Sequence, residues 1–327
     1  MLGTGHHVPD QVVTNADLAA RMNTSHEWIL KHTGIAQRRY VDSPVGSSGL
    51  GLEAARKALD NAQLSPSDID LIIFATLSPD YFFPGSGVLL GAELGIPGVP
   101  ALDVRNQCSG FVYGLQSADA MIRAGIYKRV LLVGAEVQST GLDFSDEGRS
   151  VAVLFGDGAG AVVLGAGPAD EGGIIHTILG ADGRHADALI CRVPSSRRFP
   201  AQITAETLAS RDQYPQMNGR KVFKNAIRTM RDLCRQILAD TGHSLDDISL
   251  IIPHQANLRI SQLVQESLGV EPERFYNNID RYGNTTAAAL PIALDECRRT
   301  GRVDTGDKVL LVAFGSGFTW GAALMEL

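Results

Sequence analysis

Three residues of the chain have side chains that together suit acyl transfer: Cys108, His254 and Asn284. A cysteine can take an acyl group as a thioester, and two neutral N–H donors can stabilise an oxyanion or enolate beside it. The set has no carboxylate partner, which suits thioester chemistry. The backbone of Gly315-Ser316-Gly317 could supply an oxyanion-hole N–H beside that of Cys108.

The setting of Cys108 favours a reactive thiol. Apolar residues recur after it at helical spacing, at Phe111, Leu115, Ala118 and Ile122. A helix is therefore predicted to begin just after Cys108 and to end at Gly125. Unpaired N–H groups and the positive end of the helix dipole favour a thiolate, so the pKa of Cys108 is predicted to be lowered. Cys191, Cys234 and Cys297 are interpreted as buried structural thiols.

His254 and Asn284 lie where α/β proteins commonly form their sites. His254 follows a predicted strand at residues 250–252, and Asn284 precedes a predicted helix at residues 287–299. Alone, the histidine would more often be structural, and the asparagine could be a helix cap or turn residue. Their joint occurrence with Cys108 favours a shared functional site.

The chain also contains an internal duplication. Two pairs of segments match at the same offset of 179 residues: 56–73 with 235–252, and 130–133 with 309–312. The sequence therefore predicts two copies of one unit, residues 1–166 and 167–327, each with buried strands and crossover helices. Aligning two helix ends gives an offset of 176 residues, which carries Cys108 onto Asn284. A pseudo-twofold axis would bring both to one site.

Composition excludes several classes of function. The 327 residues are 44% hydrophobic and carry a net charge of −7, which indicates a packed α/β protein and argues against nucleic-acid binding. No stretch is long and apolar enough for a membrane helix. The four cysteines are far apart and form no zinc motif, which predicts reduced thiols in the cytoplasm and no metal. The first predicted strand is short, so the true start is expected upstream.

The glycine motifs are interpreted as structural. Gly3-Thr4-Gly5 has Val8 where a dinucleotide-binding motif needs its third glycine, so no such cofactor is predicted. The segment FGDGAG at residues 155–160 is predicted to be a tight turn between strands at residues 151–154 and 161–164.

At these residues the sequence resembles the β-ketoacyl-[acyl carrier protein] synthase III family of the thiolase fold, over nearly the whole chain. The matching segments are GTG at 3–5 with Pro9, TNADL at 14–18, EWI at 27–29, TGI at 33–35, CSGF at 108–111, FGDGAG at 155–160, PHQANLRI at 253–260, YGNTTA at 282–287 and FTWG at 318–321. The resemblance implies two pseudo-symmetric thiolase-like halves in a five-layer α-β-α-β-α body, the nucleophile in the first half and the histidine and asparagine in the second.

The resemblance also implies a reaction, a decarboxylative Claisen condensation that initiates fatty acid synthesis. Cys108 would accept a primer from acyl-CoA, and malonyl-[acyl carrier protein] would lose CO₂ to give the attacking enolate. His254 and Asn284 would donate hydrogen bonds to the thioester oxygen, and the N–H groups of Cys108 and Gly317 would form the oxyanion hole. No cofactor beyond these substrates is expected.

Contacts to coenzyme A and to a second subunit follow from the same resemblance. Trp28 and Arg149 match positions that sandwich the adenine, and Asn257 lies along the pantetheine path. Phe83 matches a residue that reaches the partner subunit's acyl pocket, which implies a homodimer.

A basic stripe is predicted along one helix, comprising Lys221, Lys224, Arg228, Arg231 and Arg235. It is either a solvated face or a docking surface for an acidic partner. The resemblance favours docking, because Lys224 and Arg259 match carrier-protein contacts, and Arg228 lies on the stripe beside Lys224.

Several positions depart from the common pattern of the family: His32 for an arginine, Gln265-Glu266 for a lysine pair, Asn106-Gln107 for small residues, and Thr286 and Ala289 for serines. These changes leave two alternatives open. The protein uses a longer, medium-chain primer, or it is a relative that transfers acyl groups to another acceptor in secondary metabolism.

The residues argue against two other classes of protein. A papain-like cysteine hydrolase also has Cys, His and Asn in this order, but the sequence lacks that family's C-G-S-C-W element, and the duplication has no place in its fold. A non-catalytic scaffold would be expected to have lost one of the three residues.

Overall fold

The computed structural model describes residues 1–168 and 172–327, which form an α/β protein with two main sheets. The strands are β1 (Gly3–His7), β2 (Val12–Thr14), β3 (Gln37–Arg39), β4 (Leu71–Ala75), β5 (Ala101–Val104), β6 (Arg129–Glu136), β7 (Gly158–Gly165), β8 (Gly173–Ala181), β9 (Leu189–Ile190), β10 (Gln216–Met217), β11 (Leu250–Pro253), β12 (Lys308–Gly315) and β13 (Thr319–Glu326). The helices are α1 (Asn15–Ala19), α2 (His26–Thr33), α3 (Gly46–Ala62), α4 (Ser86–Glu93), α5 (Gly110–Arg123), α6 (Arg149–Ala152), α7 (Ala205–Ala209), α8 (Gly219–Thr241), α9 (Leu258–Leu268), α10 (Ile279–Tyr282) and α11 (Ala289–Arg299). Within these described ranges, no helix is both long enough and apolar enough to cross a bilayer.

The two sheets repeat one strand arrangement. The first has the order β1-β7-β6-β4-β5 and the second the order β11-β12-β13-β8. In each, two parallel strands are followed by an antiparallel one: β4, β6 and β7 in the first sheet, and β11, β12 and β13 in the second. Leu71 lies opposite Val130, and Leu250 lies opposite Val309. These pairs are related by the offset of 179 residues, so the predicted duplication is confirmed in the register of the strands.

Helices cover and separate the two sheets in five layers. Helix α3 packs on the outer face of the first sheet, α5 and α11 lie between the sheets, and α8 covers the outer face of the second. The central core combines Phe111 and Leu115 of α5 with Leu290 and Leu294 of α11, all fully buried. The predicted α-β-α-β-α order is confirmed. A division into units at residue 166 stays a prediction.

The Gly3-Thr4-Gly5 segment has a packing role. A Cβ atom at Gly3 would lie 2.4 Å from the carbonyl oxygen of Ala58, and one at Gly5 would lie 2.5 Å from that of Ala54. Both contacts are with the backbone of α3, so only glycine lets β1 approach this helix so closely.

One predicted strand is wrong. Residues 151–154 are not a strand, because α6 occupies Arg149–Ala152 and a short turn follows. All four residues are buried, and an apolar run this short does not distinguish a strand from a buried helical turn. The neighbouring prediction at residues 161–164 is confirmed within β7.

Candidate active site

Cys108 lies in a 3₁₀ turn, Gln107–Ser109, directly before α5. Its own backbone N–H and that of Ser316 lie near the sulfur and act to lower the pKa of the thiol. The end of β12 covers it closely, since a Cβ atom at Gly315 would lie 2.8 Å from Cys108 Cβ. Ser109 Oγ donates to Thr319 Oγ1 at 2.8 Å and ties the turn to β13. The nucleophile of the first half is thus held by the last two strands of the second.

The predicted thiolate character of Cys108 is wrong for the unliganded protein. Burial, and to a lesser extent the nearby Glu136 carboxylate, raise the pKa of the Cys108 thiol to about 12, although two backbone N–H groups act to lower it. The helix start is present as predicted, but removal of the sulfur from water outweighs its effect. The resting nucleophile is therefore a neutral thiol.

His254 follows β11 and is almost completely buried, with 1% of its surface exposed. Burial lowers the pKa of its imidazole to about 3, so the ring is neutral. Neither Nδ1 nor Nε2 has a hydrogen-bond partner among the described residues. Buried polar atoms are rarely left unpaired, so this ring is available to a ligand.

Asn284 lies in the turn between α10 and the 3₁₀ helix Thr286–Ala288. Its Oδ1 accepts the N–H of Thr286 at 2.9 Å, and its backbone N–H donates to Leu154 O at 2.8 Å. The side-chain amide is thereby oriented with Nδ2 free to donate. Asn284 O accepts the N–H of Gly156 at 3.1 Å, which gives the FGDGAG segment a structural role. The predicted turn is limited to residues 155–157, because β7 already begins at Gly158.

One cavity brings the three predicted catalytic residues together. This first cavity has a volume of about 170 Å³ and is lined by Cys108, His254 and Asn284. Trp28, at the start of α2, and Asn257, at the start of α9, line it as well. A thioester reaching Cys108 through this cavity would meet two neutral N–H donors, which is the arrangement needed to stabilise an enolate.

A second cavity lies beside the nucleophile. It has a volume of about 420 Å³ and shares Cys108, Phe155 and Leu189 with the first cavity. Gly317 lines this second cavity, and the N–H that reaches the sulfur in the resting state is that of Ser316. The role of Gly317 in the oxyanion hole stays a prediction.

Glu136 is a buried hydrogen-bond acceptor beside the active site, and this role was not predicted from the sequence. It ends β6 and is fully buried. Its carboxylate accepts hydrogen bonds from the N–H groups of Leu77, Ser78 and Ala287, and from the side chains of Thr76, Ser78 and Gln138. Burial raises the pKa of this carboxyl group, and the donors oppose that shift. An acidic residue directly after the apolar run VLLVGA was the available signal.

Two of the three predicted coenzyme A contacts, Trp28 and Asn257, line the first cavity, and Arg149 is not among its lining residues. The Arg149 guanidinium is 5.9 Å from the centroid of the Trp28 ring and also donates to Asn23 O. His32 stacks on Trp28, with ring centroids 4.5 Å apart. Asn257 Nδ2 donates to His32 O at 2.9 Å, and Asn257 Oδ1 caps α9, so this side chain braces the cavity wall.

The remaining predicted residues lie on the surface. Lys224 and Arg228 are exposed in the first half of α8, and Arg259 is exposed at the start of α9; no acidic side chain among the described residues pairs with them. Phe83 is 81% exposed and lines neither cavity of its own chain.

The other three cysteines differ in their exposure. Cys234 and Cys297 are buried as predicted, but Cys191 is exposed and lines the second cavity, because β9 and β10 form a small ribbon at the surface. In the described part of the chain, no cluster of three or more His, Cys, Asp or Glu residues is placed to hold a metal.

Comparisons with known proteins agree over the whole chain. The family model "3-Oxoacyl-[acyl-carrier-protein (ACP)] synthase III" matches residues 102–183, and its C-terminal model matches residues 238–327. The chain is 41% identical to beta-ketoacyl-[acyl-carrier-protein] synthase III 1 of Bacillus cereus, over all of its own length and 98% of that protein. It is 43% identical to the synthase III of Rhizorhabdus wittichii, over the same shares.

Solved structures show the same similarity. The 3-oxoacyl-[acyl-carrier-protein] synthase III of Aquifex aeolicus VF5 matches with a TM-score of 0.90 and 41% identity, covering 100% of this chain and 99% of that one. The synthase III of Thermus thermophilus matches with a TM-score of 0.92 and 39% identity, covering 100% and 98%.

Proposed function

The chain belongs to the 3-oxoacyl-[acyl-carrier-protein] synthase III family of acyltransferases, and from that premise we propose that it joins an acyl-CoA primer to malonyl-[acyl carrier protein]. The product would be a 3-oxoacyl-[acyl carrier protein], the first condensation product of fatty acid synthesis. The observation that supports this most directly is the convergence of Cys108, His254 and Asn284 on one cavity.

In the first stage, Cys108 Sγ attacks the carbonyl carbon of the acyl-CoA thioester. The carbon–sulfur bond to coenzyme A breaks, and the thiol proton leaves with the coenzyme A sulfur. The N–H groups of Cys108 and Gly317 would hold the oxyanion of the tetrahedral intermediate. Because the resting thiol is neutral, its proton has to be lost as the substrate reacts.

In the second stage, the malonyl thioester loses CO₂, and the electron pair of the broken C–C bond forms an enolate. The thioester oxygen of this enolate would accept hydrogen bonds from His254 and from Asn284 Nδ2. The neutral imidazole and the fixed amide suit this role, because both donors are in place before charge develops. The enolate carbon then attacks the acyl-cysteine, and the departing Cys108 thiolate takes up one proton.

The surface features support the proposed substrates and assembly. Arg149 and Trp28 would hold the adenine, with the Arg149 guanidinium carbon 5.9 Å from the centroid of the Trp28 ring before the base enters. Lys224, Arg228 and Arg259 would dock the acidic carrier protein. The exposed Phe83 would enter the partner subunit of a homodimer. The four free thiols are in keeping with a reducing compartment, the cytoplasm.

Separating the two stages by mutation tests this mechanism. The intact mass of the protein after exposure to acyl-CoA should increase by one acyl group, and Cys108→Ala should abolish the increase. His254→Ala should still be acylated but should release no CO₂ from malonyl-[acyl carrier protein]. Cys234→Ala, in the core of α8, is the control and should behave as the unmodified protein. Full activity of Cys108→Ala would refute the mechanism.

A second candidate keeps the acyl-cysteine and changes the primer or the acceptor. The second cavity supports it, because about 420 Å³ holds about 14 groups the size of a water molecule, whose share of liquid volume is about 30 Å³. That is more room than an acetyl primer needs. Turnover without a malonyl donor would indicate transfer to another acceptor, and a medium-chain acyl adduct would indicate a longer primer.

A further inference from the structure

The wall of the second cavity carries a fixed hydrogen-bond acceptor, the side chain of Gln138. This residue follows β6 and is only 7% exposed. Its Nε2 donates to Glu136 Oε2 at 3.1 Å and lies 3.5 Å from Thr286 Oγ1, and its backbone N–H donates to Asp157 Oδ1 at 2.7 Å. The carboxamide is therefore held in one orientation, with the amino group on the Glu136 side.

The other end of this carboxamide has no partner. None of the hydrogen bonds formed by the described residues reaches Gln138 Oε1. Because Gln138 lines the second cavity and its amino group is held on the Glu136 side, Oε1 is the atom left facing the cavity. Gln213 lines the same cavity, and its buried Oε1 also has no partner.

An unpaired acceptor in a cavity for acyl chains has a chemical consequence. An alkyl chain that fills the cavity excludes water from Gln138 Oε1 and offers no proton in return, which is costly for a buried polar atom. A carboxylate offers no proton to Oε1 either. Arg105, on the wall of the same cavity, would attract a carboxylate, but the Glu136 carboxylate behind Gln138 repels one placed at Oε1. A hydroxyl group can donate a hydrogen bond to Oε1 without adding charge.

We propose that the second cavity selects a primer whose acyl chain carries a hydroxyl group, which donates a hydrogen bond to Gln138 Oε1. Glu136 acts as a positioning residue, because it holds the carboxamide in the accepting orientation. This inference rests on the proposed function, since it requires that Cys108 carry the acyl group into this cavity.

Competition between matched thioesters tests the inference in the unmodified protein. In a first experiment, equimolar hexanoyl-CoA and 3-hydroxyhexanoyl-CoA compete for Cys108. In a second, hexanoyl-CoA competes with 6-hydroxyhexanoyl-CoA. The acyl adducts in each are quantified by intact mass. At least one of the two hydroxyacyl thioesters should be loaded roughly 5- to 150-fold faster than hexanoyl-CoA. This is the factor expected because hexanoyl-CoA leaves one buried acceptor, Gln138 Oε1, without a hydrogen bond. Adipoyl-CoA, with a terminal carboxylate, should be loaded more slowly than that hydroxyacyl thioester.

Variants assign the preference to the carboxamide. Gln138→Leu should bring the ratio close to one by improving the loading of hexanoyl-CoA, and Gln138→Met serves if the leucine variant does not fold. Gln236→Leu, on the exposed face of α8, is the matched control and should keep the wild-type ratio.

The outcomes separate this inference from the proposed function. Loading of hexanoyl-CoA as fast as both hydroxyacyl thioesters, or an unchanged preference in the folded Gln138 variants, overturns the inference alone. If Cys108 accepts an acyl group from no thioester at all, acetyl-CoA included, the proposed function fails and the inference falls with it.

Discussion

Replacing Gly315 by alanine should displace the nucleophile without removing any catalytic group. A Cβ atom at this position would lie 2.8 Å from Cys108 Cβ, 3.0 Å from Cys108 Sγ and 3.1 Å from Cys108 N. Carbon atoms in contact prefer separations of about 3.5–4.0 Å, so the two residues must move apart by about 0.7 Å or more. Cys108 is held on its other side by the packed start of α5, which leaves little room to relax.

The expected effect of this displacement is large for activity and moderate for stability. A misplacement of about 1 Å can cost on the order of a hundredfold in rate, so Gly315→Ala should lower kcat/KM for acylation by about that factor. Overpacking a close contact should cost about 1–3 kcal/mol of unfolding free energy, so the variant should fold with a lower Tm.

Intact-mass measurement of acyl-enzyme formation over time gives the rate directly, and thermal unfolding monitors the fold. Gly183→Ala is the matched control, because a Cβ atom there meets no atom within 4 Å. Acylation of a folded Gly315→Ala protein at the wild-type rate would refute the reasoning, since it would mean that the end of β12 does not position the sulfur.

Four further predictions concern charge and assembly. Because the pKa of Cys108 is raised to about 12, its thiolate fraction should increase about tenfold per pH unit. The rate of Cys108 alkylation by iodoacetamide, measured by peptide mapping, should therefore increase steadily from pH 7 to 10. A plateau below pH 9 would contradict this. Glu136→Gln removes a nearby negative charge and should shift that profile to lower pH; an unchanged profile would contradict the assigned cause. Lys224→Glu with Arg228→Glu should weaken the use of malonyl-[acyl carrier protein] by roughly tenfold and spare acyl-CoA loading, because only carrier docking uses these charges; equal losses in both assays would refute that docking surface. Phe83→Asp should convert a dimer to monomers in sedimentation analysis, since a carboxylate cannot enter an apolar pocket unpaired; an unchanged dimer would show that Phe83 lies outside the interface.

The duplicated architecture could be predicted from the sequence, because the apolar segments that indicate it are local and occur twice. The VLLV segments and the apolar residues preceding them predicted matching strands, and the structure pairs Leu71 with Val130 as it pairs Leu250 with Val309. The helix after Cys108 was equally clear, because its apolar residues recur at the helical period and its end is marked by glycine. The convergence of Cys108 and Asn284 followed from the same symmetry, and His254 was placed with them because it follows a predicted strand.

Long-range burial was the part that local sequence could not supply. The pKa of Cys108 depends on its removal from water and on Glu136, and neither is visible in residues 106–111. The orientation of Gln138 depends on hydrogen bonds to Glu136 and Thr286, the latter 148 positions away. Such networks arise only when distant segments pack. The residue types alone showed that a thiol and an amide were present, but they showed neither the charge state of the thiol nor the orientation of the amide.

The cover that β12 and β13 provide over Cys108 has a consequence for biosynthesis. Gly315 and Thr319 are made long after the cysteine, and translation delivers the N-terminal half first. Until the final strands leave the ribosome and pack, the thiol lacks its shield and is open to oxidants. A nascent chain stalled before residue 308 would therefore be inert as a catalyst and vulnerable at the residue on which catalysis depends.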